Sequence, residues 1–302
     1  MVSPHMQDAS KLRGLTAEAQ GLAARLPALR LEAKRIAQNV AFGVHGRRRA
    51  GPGDSFWQFR QYETSDTRNL IDWRRSANSN RLFVRQREWE AAHTVWIWVD
   101  LTKSMDFKSH LATVSKRDRA LVLAFAAAEL LVHGGERVGL VGLMPPTARR
   151  DTTEKMAGAL IADANAPGAT AHRLDGATLS RQADALLIGD FLDPVAPLAP
   201  HLRLLAGQGV RGHLVQVLDP AEESLDYTGR VEFRDPEGGG KWLAPRAEGL
   251  AERYRGRLAE HRAELDCELA KLHWTRLLHH TDRPAGEALL ALHARLAGEG
   301  SR

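Results

Sequence analysis

The sequence has little cysteine, with Cys267 alone among 302 residues. A disulfide framework and a cysteine-based zinc site each need several thiols, so both are excluded. No apolar run approaches the roughly 20 residues that a membrane-spanning helix requires. The first residues also lack the charged, apolar and small-residue order of a signal peptide. We therefore expect a cytoplasmic protein without a membrane span.

A phosphate-binding loop is missing as well. The glycine runs at 134–135 and 238–240 are not followed by the Lys-Ser or Lys-Thr pair that such a loop needs. Any ATPase activity connected with this chain must therefore come from a partner. The hydrophobic content of 43% and the charged content of 26% are those of an ordinary globular protein, and the length suffices to bury a sizeable core.

The charge is unevenly distributed. Residues 1–93 carry 16 Lys and Arg against nine Asp and Glu, and the remainder carries 26 against 28. The basic part includes the consecutive Arg47, Arg48 and Arg49, to which the sequence assigns no role. A field of this sign attracts nucleic acid, membrane surfaces or acidic proteins. Because the basic stripe with interleaved aromatic side chains that is expected of a nucleic-acid binder is absent, nucleic-acid binding is an alternative and not the main expectation.

The pattern of apolar and polar residues divides the chain into three segments. Apolar residues recur at helical spacing within 1–42, which predicts an N-terminal helical arm. Aromatic residues scattered among turn formers in 43–92 predict a small β-rich lobe. From residue 93 to 302, apolar runs of strand length alternate with longer helical segments. We expect this last segment to be one large domain that ends in a helical extension.

The alternation predicts the fold class. The expected strands are Thr94–Val99, Arg137–Leu143, Ala185–Ile188, Gly212–Leu218 and His273–Leu278. The expected helices are Lys116–Val132, Thr153–Ala164, Val195–Gln208, Pro245–Lys271 and Pro284–Ala297. Strands and helices in this order form an α/β protein, with a Rossmann-like parallel sheet and helices on both faces. A hairpin within Arg230–Trp242 is expected beside the sheet.

Polar side chains follow two of these strands where the strands end. The first strand leads into Asp100, Thr102 and Ser104, and the third leads into Asp190. Thr170 lies in the loop before the third strand. Ligands of open α/β sheets bind beyond the carboxyl ends of the strands, and carboxylate and hydroxyl oxygens suit Mg²⁺ or Ca²⁺ better than zinc. The pattern therefore predicts a divalent-metal site.

Two other interpretations begin from the same residues. Ser104 could simply cap the segment that follows it. Asp100 could be the nucleophile of a phosphatase-like, metal-dependent hydrolase, but that chemistry needs a second Asp two residues further on to protonate the leaving group. Thr102 stands at that position. We therefore expect a protein that is not an enzyme.

The same residues resemble a known site. Asp100-x-Thr102-x-Ser104, with Thr170 and then Asp190, is similar to the metal-ion-dependent adhesion site (MIDAS) of von Willebrand factor A domains. In that family the pattern is Asp-x-Ser-x-Ser, a distant Thr, and an Asp after a later strand. Thr102 replaces the usual serine and keeps its hydroxyl.

A wider resemblance runs from Leu26 to Leu296. The blocks Ile71-Asp-Trp-Arg74 and Leu218-Asp-Pro-Ala-Glu222 resemble the domain of unknown function 58 family. The resemblance implies a von Willebrand factor A-like fold and a non-catalytic interaction module that holds Mg²⁺ (or Mn²⁺ or Ca²⁺). It also implies that the protein works with a MoxR-type AAA+ ATPase in assembling or activating complexes of client proteins. An acidic residue of a partner would then complete the coordination of the metal.

The small lobe contributes a second candidate surface. Arg68, Asp72, Trp73 and Arg74 are charged or aromatic residues in or beside the first family block. A β-rich lobe this short has little apolar core, so an internal network of ion pairs is the simpler explanation. The functional alternative is a face on which a partner docks.

Overall fold

The computed structural model describes residues 20–21, 24–41, 56–62, 71–77, 81–87, 93–164, 174 and 179–299. Its strands are β1 (Phe56–Gln61), β2 (Phe83–Arg87), β3 (Thr94–Val99), β4 (Arg137–Leu140), β5 (Met144–Thr147), β6 (Asp184–Gly189), β7 (Arg211–Leu218), β8 (Val231–Arg234), β9 (Lys241–Ala244) and β10 (Thr275–His280). The described helices are α1 (24–41), α2 (Trp73–Ser76), α3 (Lys116–His133), α4 (Thr152–Ala164), α5 (Val195–Gly207), α6 (Pro220–Ser224), α7 (Ala251–Lys271) and α8 (Ala285–Glu299). A short 3-10 turn covers Lys103–Asp106.

A six-stranded sheet forms the centre, in the order β10-β7-β6-β3-β4-β5. The first five strands run parallel, and β5 pairs antiparallel with β4 at the edge. The predicted α/β class with a mostly parallel sheet is therefore confirmed. The prediction missed β5, because Pro145 and Pro146 read as a loop; prolines are tolerated there since an edge strand leaves one row of N–H positions unpaired.

Helices cover both faces of this sheet. Val95, Ile97 and Val99 of β3 point into a core shared with α3, α4 and α8, whereas Trp98 points into a second core shared with α5 and α7. Successive side chains of a strand face opposite sides, so one strand contributes to both cores. The parallel strands therefore all end at one edge of the sheet, which lies between two layers of helices.

Helix α1 packs on the first of these cores. Leu26, Ala33, Ala37 and Val40 are buried in the same cluster as residues of α3 and α8. The guanidinium of Arg25 lies 2.9 Å from a carboxylate oxygen of Asp118 in the first turn of α3. The part of the predicted arm before residue 20 lies outside the described residues.

Two pairs of antiparallel strands accompany the sheet. Strands β1 and β2 pair with each other, and so do β8 and β9. The second pair confirms the predicted hairpin, and α7 begins at Ala251, six residues later than expected. Within the part of the chain that the structure describes, every helix is too short or too polar to cross a membrane.

Candidate metal site

The register of two neighbouring strands places the predicted ligands at one edge. Strands β3 and β6 pair in parallel with Val99 opposite Ile188, and the Asp100 N–H donates to the Ile188 carbonyl at 2.8 Å. Gly189 permits this approach, because a Cβ there would stand 2.9 Å from the Cβ of Asp100. Asp100 and Asp190 therefore leave adjacent strands side by side.

The carboxyl group of Asp100 is poorly solvated. The pKa of Asp100 is raised to about 6, chiefly by burial; the hydrogen bond from the Thr102 N–H opposes this rise, and the negative charge of Asp190 adds to it. That hydrogen bond reaches Asp100 Oδ1 at 2.9 Å. A carboxylate whose charged form is disfavoured in this way gains from a nearby cation. Perturbed groups of this kind cluster at functional sites.

The two hydroxyls form one run of oxygen atoms with the carboxylate of Asp190. Thr102 Oγ1 lies 2.9 Å from Ser104 Oγ, and Ser104 Oγ donates to Asp190 Oδ2 at 3.0 Å. Neighbouring ligands of an octahedral Mg²⁺ with bonds of about 2.1 Å are about 3.0 Å apart. The spacing of these oxygens therefore fits a small divalent cation.

A buried lysine stands against the same carboxylate. Lys116 begins α3, and its Nζ lies 2.8 Å from Asp190 Oδ2 and 2.5 Å from Glu222 Oε1. Only 1% of its side chain is exposed. Burial alone would lower the pKa of Lys116, but the charges of Asp190 and Glu222 outweigh it and hold the pKa above its usual value. The ammonium is thus a fixed positive charge at the strand ends.

After the charge of Lys116 has been balanced, enough negative charge remains in the site to bind a divalent cation. The Lys116 ammonium and the Glu222 carboxylate balance each other, which leaves the charges of Asp100 and Asp190. The described residues contain no group of three or more His, Cys, Asp or Glu side chains suited to a metal. The candidate site therefore depends on the hydroxyls of Thr102 and Ser104 beside its two carboxylates, and this donor set fits Mg²⁺ or Mn²⁺.

The second family block builds the far wall of the site. Asp219 precedes α6 and accepts hydrogen bonds from the Ala221 N–H at 2.9 Å and the Ser109 N–H at 2.8 Å. The Glu222 side chain accepts from the Asp219 N–H at 2.9 Å, which completes a capping box. This local structure holds Glu222 against Lys116 and ties the loop before α3 to the end of β7.

Further polar groups brace the loop that carries Thr102 and Ser104. The Arg117 guanidinium donates to the carbonyl oxygens of Leu101 at 2.8 Å and Thr102 at 3.2 Å. The loop that follows β6 is held in the same way, because the side-chain amide of Gln216 on β7 donates to the Asp190 carbonyl at 2.9 Å. Both ligand-bearing loops are therefore held from behind by side chains of neighbouring elements.

The structure brings together four of the five predicted ligands: Asp100, Thr102, Ser104 and Asp190. Thr170 lies outside the described residues. The sequence analysis did not assign Lys116 or Glu222 to the site. No local signal marks either residue: Lys116 stands in the charged run Lys-Arg-Asp-Arg that begins α3, and Glu222 reads as part of a helix cap.

The candidate docking residues lie elsewhere, on α2. Asp72 caps this helix by accepting from the Arg75 N–H at 3.0 Å. Trp73 is 63% exposed, and Arg74 beside it is exposed as well. Arg68 lies outside the described residues. An exposed tryptophan next to an arginine is consistent with either interpretation of this segment.

The family model "Protein of unknown function DUF58" matches residues 58–264, which is more than half of the chain. The chain is thus a mixed α/β protein, and it belongs to the DUF58 family. Among its relatives are the uncharacterised proteins Mb1516 of Mycobacterium bovis and Rv1480 of Mycobacterium tuberculosis. Each is 29% identical to it over 231 residues, which cover 72% of this chain and 72% of the relative.

Two solved structures show a distant likeness. The conserved hypothetical protein BatB from Bacteroides thetaiotaomicron matches with a TM-score of 0.41 and 15% identity, over 68% of this chain and all of the other. An aerotolerance-related membrane protein from Bacteroides fragilis matches with a TM-score of 0.39 and 14% identity, again over 68% and 100%. Likeness at this level adds nothing to the assignment of fold or function.

Proposed function

We propose that this protein is a non-catalytic interaction module of the von Willebrand factor A type, and that it binds a partner through a divalent cation. The observation that carries the proposal is the continuous run of oxygen atoms from Thr102 through Ser104 to Asp190, with spacings of 2.9 and 3.0 Å. Asp100, with its raised pKa, stands beside that run. The cation is Mg²⁺, with Mn²⁺ or Ca²⁺ as substitutes of the same oxygen preference.

The arrangement suits the capture of an acidic group. The four protein oxygens fill fewer positions than the six that Mg²⁺ prefers, and a bound cation supplies a position at which a carboxylate of a partner can coordinate. Ser104 and Thr102 keep their hydroxyls oriented through the contacts of the loop, and Lys116 fixes Asp190. The residues of the chain thus hold a preformed, rigid site for one negatively charged side chain.

The partner proposed for this site is a MoxR-type AAA+ ATPase, acting with it on client proteins. The support is the resemblance of the chain to the DUF58 family together with the missing phosphate-binding loop, which leaves nucleotide hydrolysis to another protein. A phosphatase-like role for Asp100 is not favoured. Thr102 stands where the second carboxyl group would have to be, and its N–H occupies Asp100 Oδ1.

The proposal is tested by calorimetric titration of the purified chain with Mg²⁺ and by capture of the ATPase with and without a chelator. Asp100→Ala should abolish Mg²⁺ binding and the Mg²⁺-dependent part of the capture. Asp151→Asn is the matched control, because the Asp151 carboxylate lies at the surface in a pair with Lys155. Equal capture in chelator and in Mg²⁺ would contradict the role of the metal.

A further inference from the structure

The β8–β9 hairpin reaches the candidate site from a distant part of the chain. Its tip, residues 235–240, places Glu237 Oε1 at 3.1 Å from the backbone nitrogen of Ser104, which donates to it. Ser104 is one of the predicted ligands, and 133 positions separate the two residues in sequence. A carboxylate that belongs to no strand end of the central sheet therefore stands at the rim of the site.

The turn is built to hold this glutamate in place. Asp235 Oδ1 accepts from the Glu237 N–H at 2.8 Å, and Asp235 Oδ2 accepts from the Gly239 N–H at 3.1 Å. A Cβ at Gly239 would lie 2.1 Å from that second oxygen, and Gly238 and Gly240 have φ values of +92° and +132°. Glycines at all three positions are what this conformation requires.

The hairpin tip also brings negative charge to the carboxyl end of β6. Burial raises the pKa of Asp193, and the charges of Asp190, Glu237 and Asp235 raise it further. The hairpin tip is thus close enough for its negative charge to affect Asp193, which follows β6. An acidic group held so near other carboxylates is better accommodated when a cation lies among them.

We propose that Glu237 is a built-in acidic ligand of the site, which occupies the place of a partner's carboxylate until the partner displaces the hairpin tip. This inference rests on the proposed function, and it adds regulation to it. The free protein is then closed against weak acidic ligands, and a partner must combine an acidic residue with enough further contact to move the tip.

The contact is of a kind that a partner can break. Glu237 is exposed, and its link to Ser104 is one hydrogen bond at the surface. Such a bond competes with water and contributes little net stability. The strands behind it are held independently, since the rings of Phe233 and Trp242 stack at 5.6 Å. The tip can therefore move while the hairpin stays formed.

The test uses the full chain saturated with Mn²⁺ and a hexaglutamate peptide as the acidic probe. Glu237→Gln removes the internal carboxylate and should raise the affinity for the peptide about tenfold. The reason is that the peptide binds only those molecules in which Glu237 has left the site, so its apparent affinity is proportional to their fraction. Glu232→Gln is the matched control: it makes the same change of charge on β8, where the carboxylate pairs with Arg234 at 2.6 Å. It should bind the peptide as the wild type does.

A third variant separates displacement from charge. Gly239→Ala pushes against the Asp235 carboxylate and loosens the turn without altering the net charge, so it should also bind the peptide more tightly. Peptide affinity that is the same in all three variants and the wild type would overturn the inference about Glu237 while leaving the metal site standing. Failure of every protein to bind Mn²⁺ would overturn the proposed function, and this inference with it.

Discussion

The buried ammonium of Lys116 offers the sharpest test of how the site is held together. Replacing it by methionine keeps most of the length of the side chain and removes the charge that lies 2.8 Å from Asp190 and 2.5 Å from Glu222. Two carboxylates then remain against each other with no counter-charge. Removing one partner of a buried ion pair costs about 3–5 kcal/mol.

This cost is large enough to be measured by thermal unfolding. In a domain of this size each kcal/mol shifts Tm by about 2–4 °C, so Lys116→Met should lower Tm by roughly 10 °C at pH 7. The double variant Lys116→Met/Glu222→Gln should recover part of the loss, because it removes one of the two uncompensated charges. Added Mg²⁺ should stabilise the single variant more than the wild type, since Asp190 is then free to face the cation.

The control for this experiment is the same substitution at the surface. Lys155 pairs with Asp151 at 3.1 Å one helical turn away, and both side chains are more than a third exposed. An exposed pair contributes little to stability, so Lys155→Met should move Tm by no more than about 4 °C. A Tm for Lys116→Met within that same margin of the wild type would refute the account of the site as a charge-balanced, buried cluster.

Two further variants test a titration and a close approach. Burial lowers the pKa of His279 to about 4. Below about pH 6.5 this histidine is therefore protonated in the unfolded chain but still neutral in the folded chain, so the stability of the fold decreases as the pH drops from 6.5 towards 4. His279→Leu should reduce the loss between pH 7 and 5 by about 2 kcal/mol in urea titrations, and an unchanged loss would contradict this. Gly189→Ala places a Cβ against Asp100, so it should lower the free energy of unfolding by about 1–3 kcal/mol and weaken Mg²⁺ binding. The control is Gly158→Ala, which has open space around it and should be neutral or stabilising. Equal changes in stability for the two variants would be evidence against the crowding of Asp100.

Local patterns of the sequence were enough for the fold class and for part of the site. The apolar run of β6 is buried at every position, as expected for a parallel strand covered on both faces. Since parallel strands end at one edge, Asp100 and Asp190 could be placed at the same edge of the sheet from the sequence alone. Periodicity failed at β5, where Pro145 and Pro146 conceal an edge strand.

The remaining parts of the site depend on contacts that no local pattern contains. Lys116 meets Asp190 and Glu222 across 74 and 106 positions, and Glu237 meets Ser104 across 133. Each of these residues looks like an ordinary surface charge when only its neighbours in sequence are considered. Their role becomes visible when the fold buries the lysine and turns the hairpin towards the strand ends.

These contacts also indicate what kind of metal site the proposal requires. Where a metal is structural, its ligands lack other partners and the protein unfolds without it. Here Ser104 and Lys116 already satisfy Asp190 Oδ2, the Thr102 N–H satisfies Asp100 Oδ1, and Glu237 accepts from Ser104. The site is therefore held by the protein itself, which suits a cation that is gained and lost with the partner rather than one on which folding depends.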